Sequence, residues 1–396
     1  MSTTPIPKPA APRLESVDLL RGLIMVVMAL DHVRDFYHTG SIHGVNPLDL
    51  ATTTPALFFT RWITNYCAPL FSFLAGTGTY LAVLRGKPKR ELSWFLVTRG
   101  LWLIFLELTL LTWFGWQFEI TPTDYILATL WALGWGMIVL AGLIHLPFPA
   151  IVAISLTMIA GHNALDAIAP ASWGAAAPLW QVLHAGGDFH LGKAAVQAFY
   201  PLIPWPGVMA AGYCLGSVYA WTSEKRRRWL FAAGWTATIG FVALRFSNLY
   251  GNTFPWAAQK SPLFTLLSFL DCRKYPPSLD YLLMTIGPGL LFLGWFDGRT
   301  VPAWLRPFLV YGRVPMFYYL LHIPLIHAGS KLMSLIQFGG GDYNAILSSG
   351  PPPPGAGIGL GATWLVWIAL VAALYLPCRW FANLKRRRKD AWLTYF

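Results

Sequence analysis

The residues of this chain best suited to chemistry are ionisable side chains inside apolar runs, because each is costly in hydrocarbon and needs a partner or a task. The first such run holds most of them. Asp31, Arg34, Asp35 and His38 recur at i, i+3, i+4 and i+7, one continuous helical stripe, and His32 lies beside it on a face shared with Asp35. A carboxylate next to an imidazole orients the ring, fixes its tautomer and stabilises the imidazolium, which is what a general base needs. The same spacing suits metal ligands, but no second helix carrying carboxylate and His is evident, so no metal is expected. A solvated helix end with incidental charges is the third reading.

At the other end of the run Asp18 and Arg21 lie three apart, where they can pair or bind an anionic cosubstrate, and Gly22 permits close backbone approach. Arg99 and Glu107 face the same side of a later run at different depths. Of the 9 His, only His145 maps to the inner side. His322 lies within a span, where a neutral imidazole must find a hydrogen-bond partner. Gly76-Thr-Gly78-Thr has no strand before it and reads as helix packing rather than a phosphate cradle.

The elements that must position these groups follow from composition. With 56% hydrophobic and only 12% charged residues in 396, the chain reads as an all-α polytopic membrane protein. Disorder, a fibrous repeat and a disulfide scaffold are excluded, and the four Cys form no CxxC pair. About ten spans fit a hydrocarbon core that needs roughly 20 residues each. They are Val17–His38, Leu57–Leu84, Leu92–Trp116, Tyr125–His145, Phe148–Asn163, Phe199–Trp221, Trp229–Asn248, Tyr281–Phe296, Pro307–His327 and Gly357–Phe381, with Pro324 able to split the ninth.

Alternate connections carry 17 Lys and Arg against 5, so the net charge of +12 reflects topology and no nucleic acid is expected. That asymmetry puts both termini in the cytoplasm. Residues 1–16 read as a flexible cytoplasmic tail without a cleavable signal, 17–384 as one membrane domain and 385–396 as a basic cytoplasmic tail. Trp116, Tyr125, Trp205, Trp221, Trp229 and Trp304 read as interfacial anchors, and Gly339 to Gly355 as an irregular surface loop.

Three blocks give the chain a resemblance to the heparan-alpha-glucosaminide N-acetyltransferases and their bacterial relatives, within the transmembrane acyltransferases. Arg13-Leu-Glu-Ser-Val-Asp-Leu-Leu-Arg-Gly22 is similar to the family's R-x-x-S-x-D-x-x-R-G signature. Asn65-Tyr-Cys-Ala-Pro-Leu-Phe-Ser-Phe-Leu-Ala-Gly76 resembles its D-L-x-x-P-x-F-x-F-x-x-G helix, with Asn65 in place of Asp. Gly312 through Tyr319 to His322 keeps the spacing of its G-x(6)-Y-x-x-H helix, and Tyr200 to Gly216 resembles the Pro-Trp-x-Gly helix of the bacterial branch.

The resemblance implies transfer of an acetyl group from cytoplasmic acetyl-CoA to an amino sugar or other glycan on the far side of a bacterial inner membrane. It puts the catalytic His after the helix with Arg-Gly, so His43, His38 and His32 are candidates in that order, with Asp31, Asp35 and His322 in support. Arg21, Arg85, Arg99 and Arg313 are available for the CoA phosphates, and Arg34, Asn65 and Tyr319 for the oxyanion or substrate. A homodimer is one open arrangement. The rival class is a proton-coupled secondary transporter of a small polar solute, which explains buried charge equally well but predicts internal repeats, and none is found.

Overall fold

The computed structural model describes residues 14–118, 123–339, 353–388 and 390–396. The tail Met1 to Pro12 and most of the Gly339 to Gly355 loop lie outside the described residues. The chain is mostly helical, as its composition demands.

Helix α1 (Glu15–Tyr37) has acids in its first turn and Arg34 in its last, matching the helix dipole, and its apolar middle is buried. Two short elements follow, α2 (Thr39–Ile42) and α3 (Pro55–Trp62), the latter capped by the Thr54 side chain. Helix α4 (Cys67–Leu84) leads to α5 (Lys89–Leu106), which widens into a π-helical stretch over Glu107–Gln117. Strand β1 (Asp124–Leu127) precedes α6 (Thr129–Leu143) and α7 (Phe148–Gly161). The outer lobe then contributes α8 (Ala177–Trp180), β2 (Gly187–Leu191) and β3 (Ala194–Ala198). Helices α9 (Pro204–Gly216), α10 (Ser223–Ser247), α11 (Pro262–Leu270), α12 (Leu279–Phe296), α13 (Arg306–Arg313), α14 (Pro315–Phe338) and α15 (Leu360–Arg387) complete the body.

Among the described residues six helices are long and apolar enough to cross a membrane, or seven if the pair bent by 87° at Val314 counts as one span. The remaining windows differ for physical reasons. Charges at both ends keep α1 out of that set although it has 23 residues. Tyr125–His145 opens as a strand and becomes helical only at Thr129, and Phe199–Trp221 is helical only from Pro204. The ninth window breaks at Val314, where Pro315 starts a new helix, and α14 runs through Pro324. Of the expected anchors, Trp205 is fully buried while Trp304 is exposed.

The strands form a three-stranded sheet in the order β1-β3-β2, with β1 parallel and β2 antiparallel to β3. Composition gave no hint of it, because its strands are four or five residues long. Behind it, His184 Nε2 lies 2.9 Å from Asp166 Oδ1, and Asn163 Nδ2 donates to the other carboxylate oxygen at 2.8 Å. Burial pushes the Asp166 carboxyl up, but these two hydrogen bonds outweigh it and hold it below the ordinary carboxylate value.

Helix α1 is the central element, packed on α4, α12, α13, α14 and α15. Its contact with α13 is set by glycine: a Cβ on Gly22 would meet the Phe308 carbonyl oxygen at 1.9 Å, and one on Gly312 the Asp18 carbonyl oxygen at 1.8 Å. Gly76 and Gly212 make the same close crossing between α4 and α9. Without a hydrophobic drive between helices in lipid, such approach is what packs them.

Gly312→Val is therefore expected to cost about 3 kcal/mol or more by overpacking, read as loss of the monodisperse peak in detergent, whereas Gly142→Ala, with open space at its Cβ, leaves the peak unchanged. A second expectation concerns acid. Because the Asp166 carboxyl is depressed, its stabilisation is present at neutral pH and lost as pH falls through the folded value. Asp166→Asn should lower the thermal midpoint in the neutral range and flatten the acid limb of a thermal-stability profile, so that the two proteins converge at low pH.

Candidate active site

The outer half of α1 is built around one carboxylate. Arg34 donates to Asp31 Oδ1 at 2.9 Å and to Asp35 at 2.6 Å. Arg61 of α3 brings Nε to 3.7 Å from Asp31 Oδ1, and Lys274 brings Nζ to 3.8 Å from Oδ2. Three cations from three parts of the chain thus meet at Asp31. Lys274 can do so because its connection is pinned from within: buried Arg245 at the end of α10 donates to the carbonyls of Phe254, Ser268, Phe269 and Asp271. Tyr275 then stacks toward Tyr200, with centroids 5.2 Å apart, and Tyr200 lies at the same 5.2 Å from Trp205.

These groups wall an outer cavity of about 390 Å³, lined by Asp31, His32, Asp35, Lys274, Thr64 and Cys67 on its polar side. Phe36, Phe71, Trp116, Phe199, Tyr200 and Tyr275 supply its aromatic side, and Ile126 and Gln197 of the sheet close it. His32 projects into it, its ring centroid 5.2 Å from Trp116 in an edge contact. The π-helical stretch aims Trp116 there, a recurrent use of such bulges.

Behind His32, 5.2 Å away between ring centroids, lies His322, which is fully buried. His322 Nδ1 is 2.8 Å from the Tyr319 carbonyl oxygen and 3.2 Å from that of Tyr318. A carbonyl only accepts, so Nδ1 carries the proton and Nε2 presents a lone pair that has no protein partner.

At the other end of α1 a second cavity of about 340 Å³, the inner one in the topology that the charge asymmetry predicts, is lined by Arg21, Lys87, Arg99, Arg313 and Lys385 and by no Asp or Glu among the described residues. Five cations around an apolar interior make a site for a polyanion with an apolar arm. Arg21 is held by Asp18 at 3.5 Å and donates to the Leu74 carbonyl at 3.4 Å. Phe71 and Thr129 line both cavities, with Tyr319 on the inner side. Glu107, buried, fixes Thr129 by accepting hydrogen bonds from the next two amides of α6, Leu130 at 2.7 Å and Trp131 at 3.4 Å.

The structure therefore brings together His32, Asp31, Asp35 and His322 around one cavity wall, and Arg21, Arg99, Arg313 and Tyr319 around the other. His43 lies outside both, exposed on a loop with its ring on the Thr39 carbonyl at 2.8 Å. His38 also lies outside, where its backbone pairs with Ile358. Arg85 is exposed at the end of α4. Arg34 is enclosed by the carboxylates it binds, and Asn65 accepts from Arg61 Nη1 at 3.1 Å. Asp31 is committed to cations rather than to an imidazole. Sequence reasoning missed Lys87, Lys274, Lys385 and Trp116 as cavity residues; Lys87 and Lys385 stood in plain view as inner-side basic residues, whereas nothing local singles out Lys274.

The helical membrane body thus carries a cationic cavity at one end of α1 and a His-bearing aromatic cavity at the other, with Phe71 and Thr129 shared between their walls. Residues 13–252 match the family of heparan-alpha-glucosaminide N-acetyltransferase catalytic domains, and the chain belongs to that family of membrane acetyltransferases, whose donor is acetyl-CoA. No curated protein matches the chain. Among the described residues no group of three or more His, Cys, Asp or Glu could hold a metal ion.

The Arg245 staple generates a prediction. Arg245→Met leaves four carbonyls short of a donor, each worth about 1–3 kcal/mol if it stays buried, so the connection bearing Lys274 should loosen. Trypsin should then cut the folded variant at Arg273 or Lys274 faster than it cuts the wild type.

Proposed function

We propose that this protein is an integral-membrane acyltransferase of a bacterial inner membrane, moving an acetyl group from cytoplasmic acetyl-CoA in the inner cavity to an amino sugar or other glycan in the outer cavity. The observation that carries this reading is the junction: Phe71 and Thr129 line both cavities, and His32 and Tyr319 stand on either side of it. The five-cation lining suits the donor's phosphates, and the apolar residues beyond it suit the pantetheine arm that delivers the thioester to the junction. Aromatic walls with Gln197, Asp35 and Lys274 suit a polar ring compound.

The chemistry then follows. His32 accepts the proton of the attacking acceptor nitrogen or hydroxyl as the N–C or O–C bond forms at the acetyl carbonyl. The tetrahedral oxyanion is met by donors at the junction, with Tyr319 and Thr129 within the same cavity wall. Collapse breaks the C–S bond, and the departing thiolate takes up a proton, so that CoA leaves as the thiol and the acceptor as amide or ester. His322, behind His32, offers Nε2 as the next stop for the proton.

A carrier would also use a helix pair bent by 87° and a helix that begins at a cavity, α6, which keeps the transporter reading open to test. Purified protein, radiolabelled acetyl-CoA and glucosamine decide the matter. Labelled product is expected, with His32→Ala lowering its rate by about 100-fold or more and His43→Ala leaving it near wild type. Substrate-dependent uptake into proteoliposomes without label transfer would replace the enzyme by the carrier. Loss of product in His43→Ala alone would move the base to the outer loop.

A further inference from the structure

Beyond Arg387 the chain does not trail away as a basic tail. Ala391–Tyr395 form a 3-10 turn with Leu393 buried, and Phe396 beyond it joins the lining of the cationic cavity. Four contacts hold it there. Arg99 Nη1 donates to the Thr394 carbonyl at 2.8 Å, Lys385 Nζ donates to the main-chain oxygen of Phe396, the Tyr395 hydroxyl shares a 2.9 Å hydrogen bond with Thr98, and the Phe396 ring reaches into the cavity lining near Trp102. Arg99 of α5 is thus engaged by a neutral peptide carbonyl and Lys385 of α15 by the main-chain oxygen of Phe396.

We propose that residues 391–396 are a displaceable strap at the cationic end of the donor cavity, and that Arg99 exchanges the Thr394 carbonyl for a phosphate of the donor when it binds, with Lys385 released from Phe396 in the same movement. The Arg99 bond to the Thr394 carbonyl carries charge on one partner only, whereas a phosphate puts charge on both and adds direct Coulomb attraction, so the donor wins the exchange at Arg99. Lys87, on the cavity rim with its ammonium 4.4 Å from the Phe95 ring centroid, is placed to meet the phosphates first. The strap thereby keeps a cationic cavity covered while it is empty and yields only to a ligand that brings negative charge. An uncharged thioester arm lacks the means to open it.

This inference rests on the acetyl-CoA reading, and its test separates the two. Calorimetry first asks whether the full-length protein binds CoA; absence of binding overturns both. With binding established, hydrogen exchange over 391–396 is compared in apo protein, with CoA, and with pantetheine, which lacks the phosphates. Faster exchange of the segment with CoA but not with saturating pantetheine is the expected result. Unchanged or slower exchange with CoA overturns the strap and leaves the donor site intact. As a second measurement, Trp392→Ser/Tyr395→Ser/Phe396→Ser should bind CoA about tenfold more tightly because the competitor is weakened, and equal or weaker binding by a monodisperse variant argues against exchange.

Discussion

Asp31 is the constraint on which the outer half of the molecule depends. Its carboxylate is bound by Arg34 from its own helix, by Arg61 from α3 and by Lys274 from the connection before α12, so a single buried charge ties three segments distant in sequence. Ion pairs in low dielectric stand only when desolvation is offset by good partners, and removing one partner from such a group costs about 3–5 kcal/mol. The tie is also what holds the cavity open. Lys274 and Tyr275 form one wall and α1 the other, so the distance across is set by charge rather than by apolar collapse. Arg245 repeats the device one layer back, with carbonyls in place of a carboxylate.

The inner half is organised differently. There the helices approach through glycine, Gly22 on Gly312 and Gly76 on Gly212, and the cations are left facing a cavity rather than each other. Five cations without a lining Asp or Glu repel one another, and the arrangement stands because Arg21 has Asp18, Arg99 has the Thr394 carbonyl and Lys385 has the main-chain oxygen of Phe396. Attraction builds the site around Asp31 and managed repulsion the cationic one, and the proposed pairing of a polyanionic donor with an uncharged or cationic acceptor would use that difference.

Much of this was legible where the signal is local. The stripe Asp31, Arg34, Asp35 is an i, i+3, i+4 pattern, and the structure closes it as paired side chains; Asp18 and Arg21 pair as their spacing predicts. Buried His322 was marked by being polar in an apolar run. The rest depends on tertiary contact. The partner of His32 lies 290 positions away, so nothing in the spacing of three outer-side His residues could rank them. The short strands carry too few residues for a period, and the break at Val314 was misread as Pro324 because a proline inside a run is visible while a Pro at the first turn of a new helix looks the same. The closing segment read as a tail because its charges conceal three aromatic anchors, Trp392, Tyr395 and Phe396.

The tautomer of His322 joins the two halves. Its Nδ1 proton is fixed by carbonyls of its own helix, a bond available wherever a His sits in helical backbone, and this leaves Nε2 able to accept but not to donate while the ring is neutral. A proton passing from His32 therefore has somewhere to go, and a proton cannot start from neutral His322 without breaking its backbone bond. On the proposed mechanism Nε2 is then the one ring position through which a proton enters and leaves His322, because Nδ1–H is committed to the carbonyls of Tyr318 and Tyr319. On that reading the buried imidazole, its ring 5.2 Å from His32, has a task that compensates for the cost of keeping it in the bilayer.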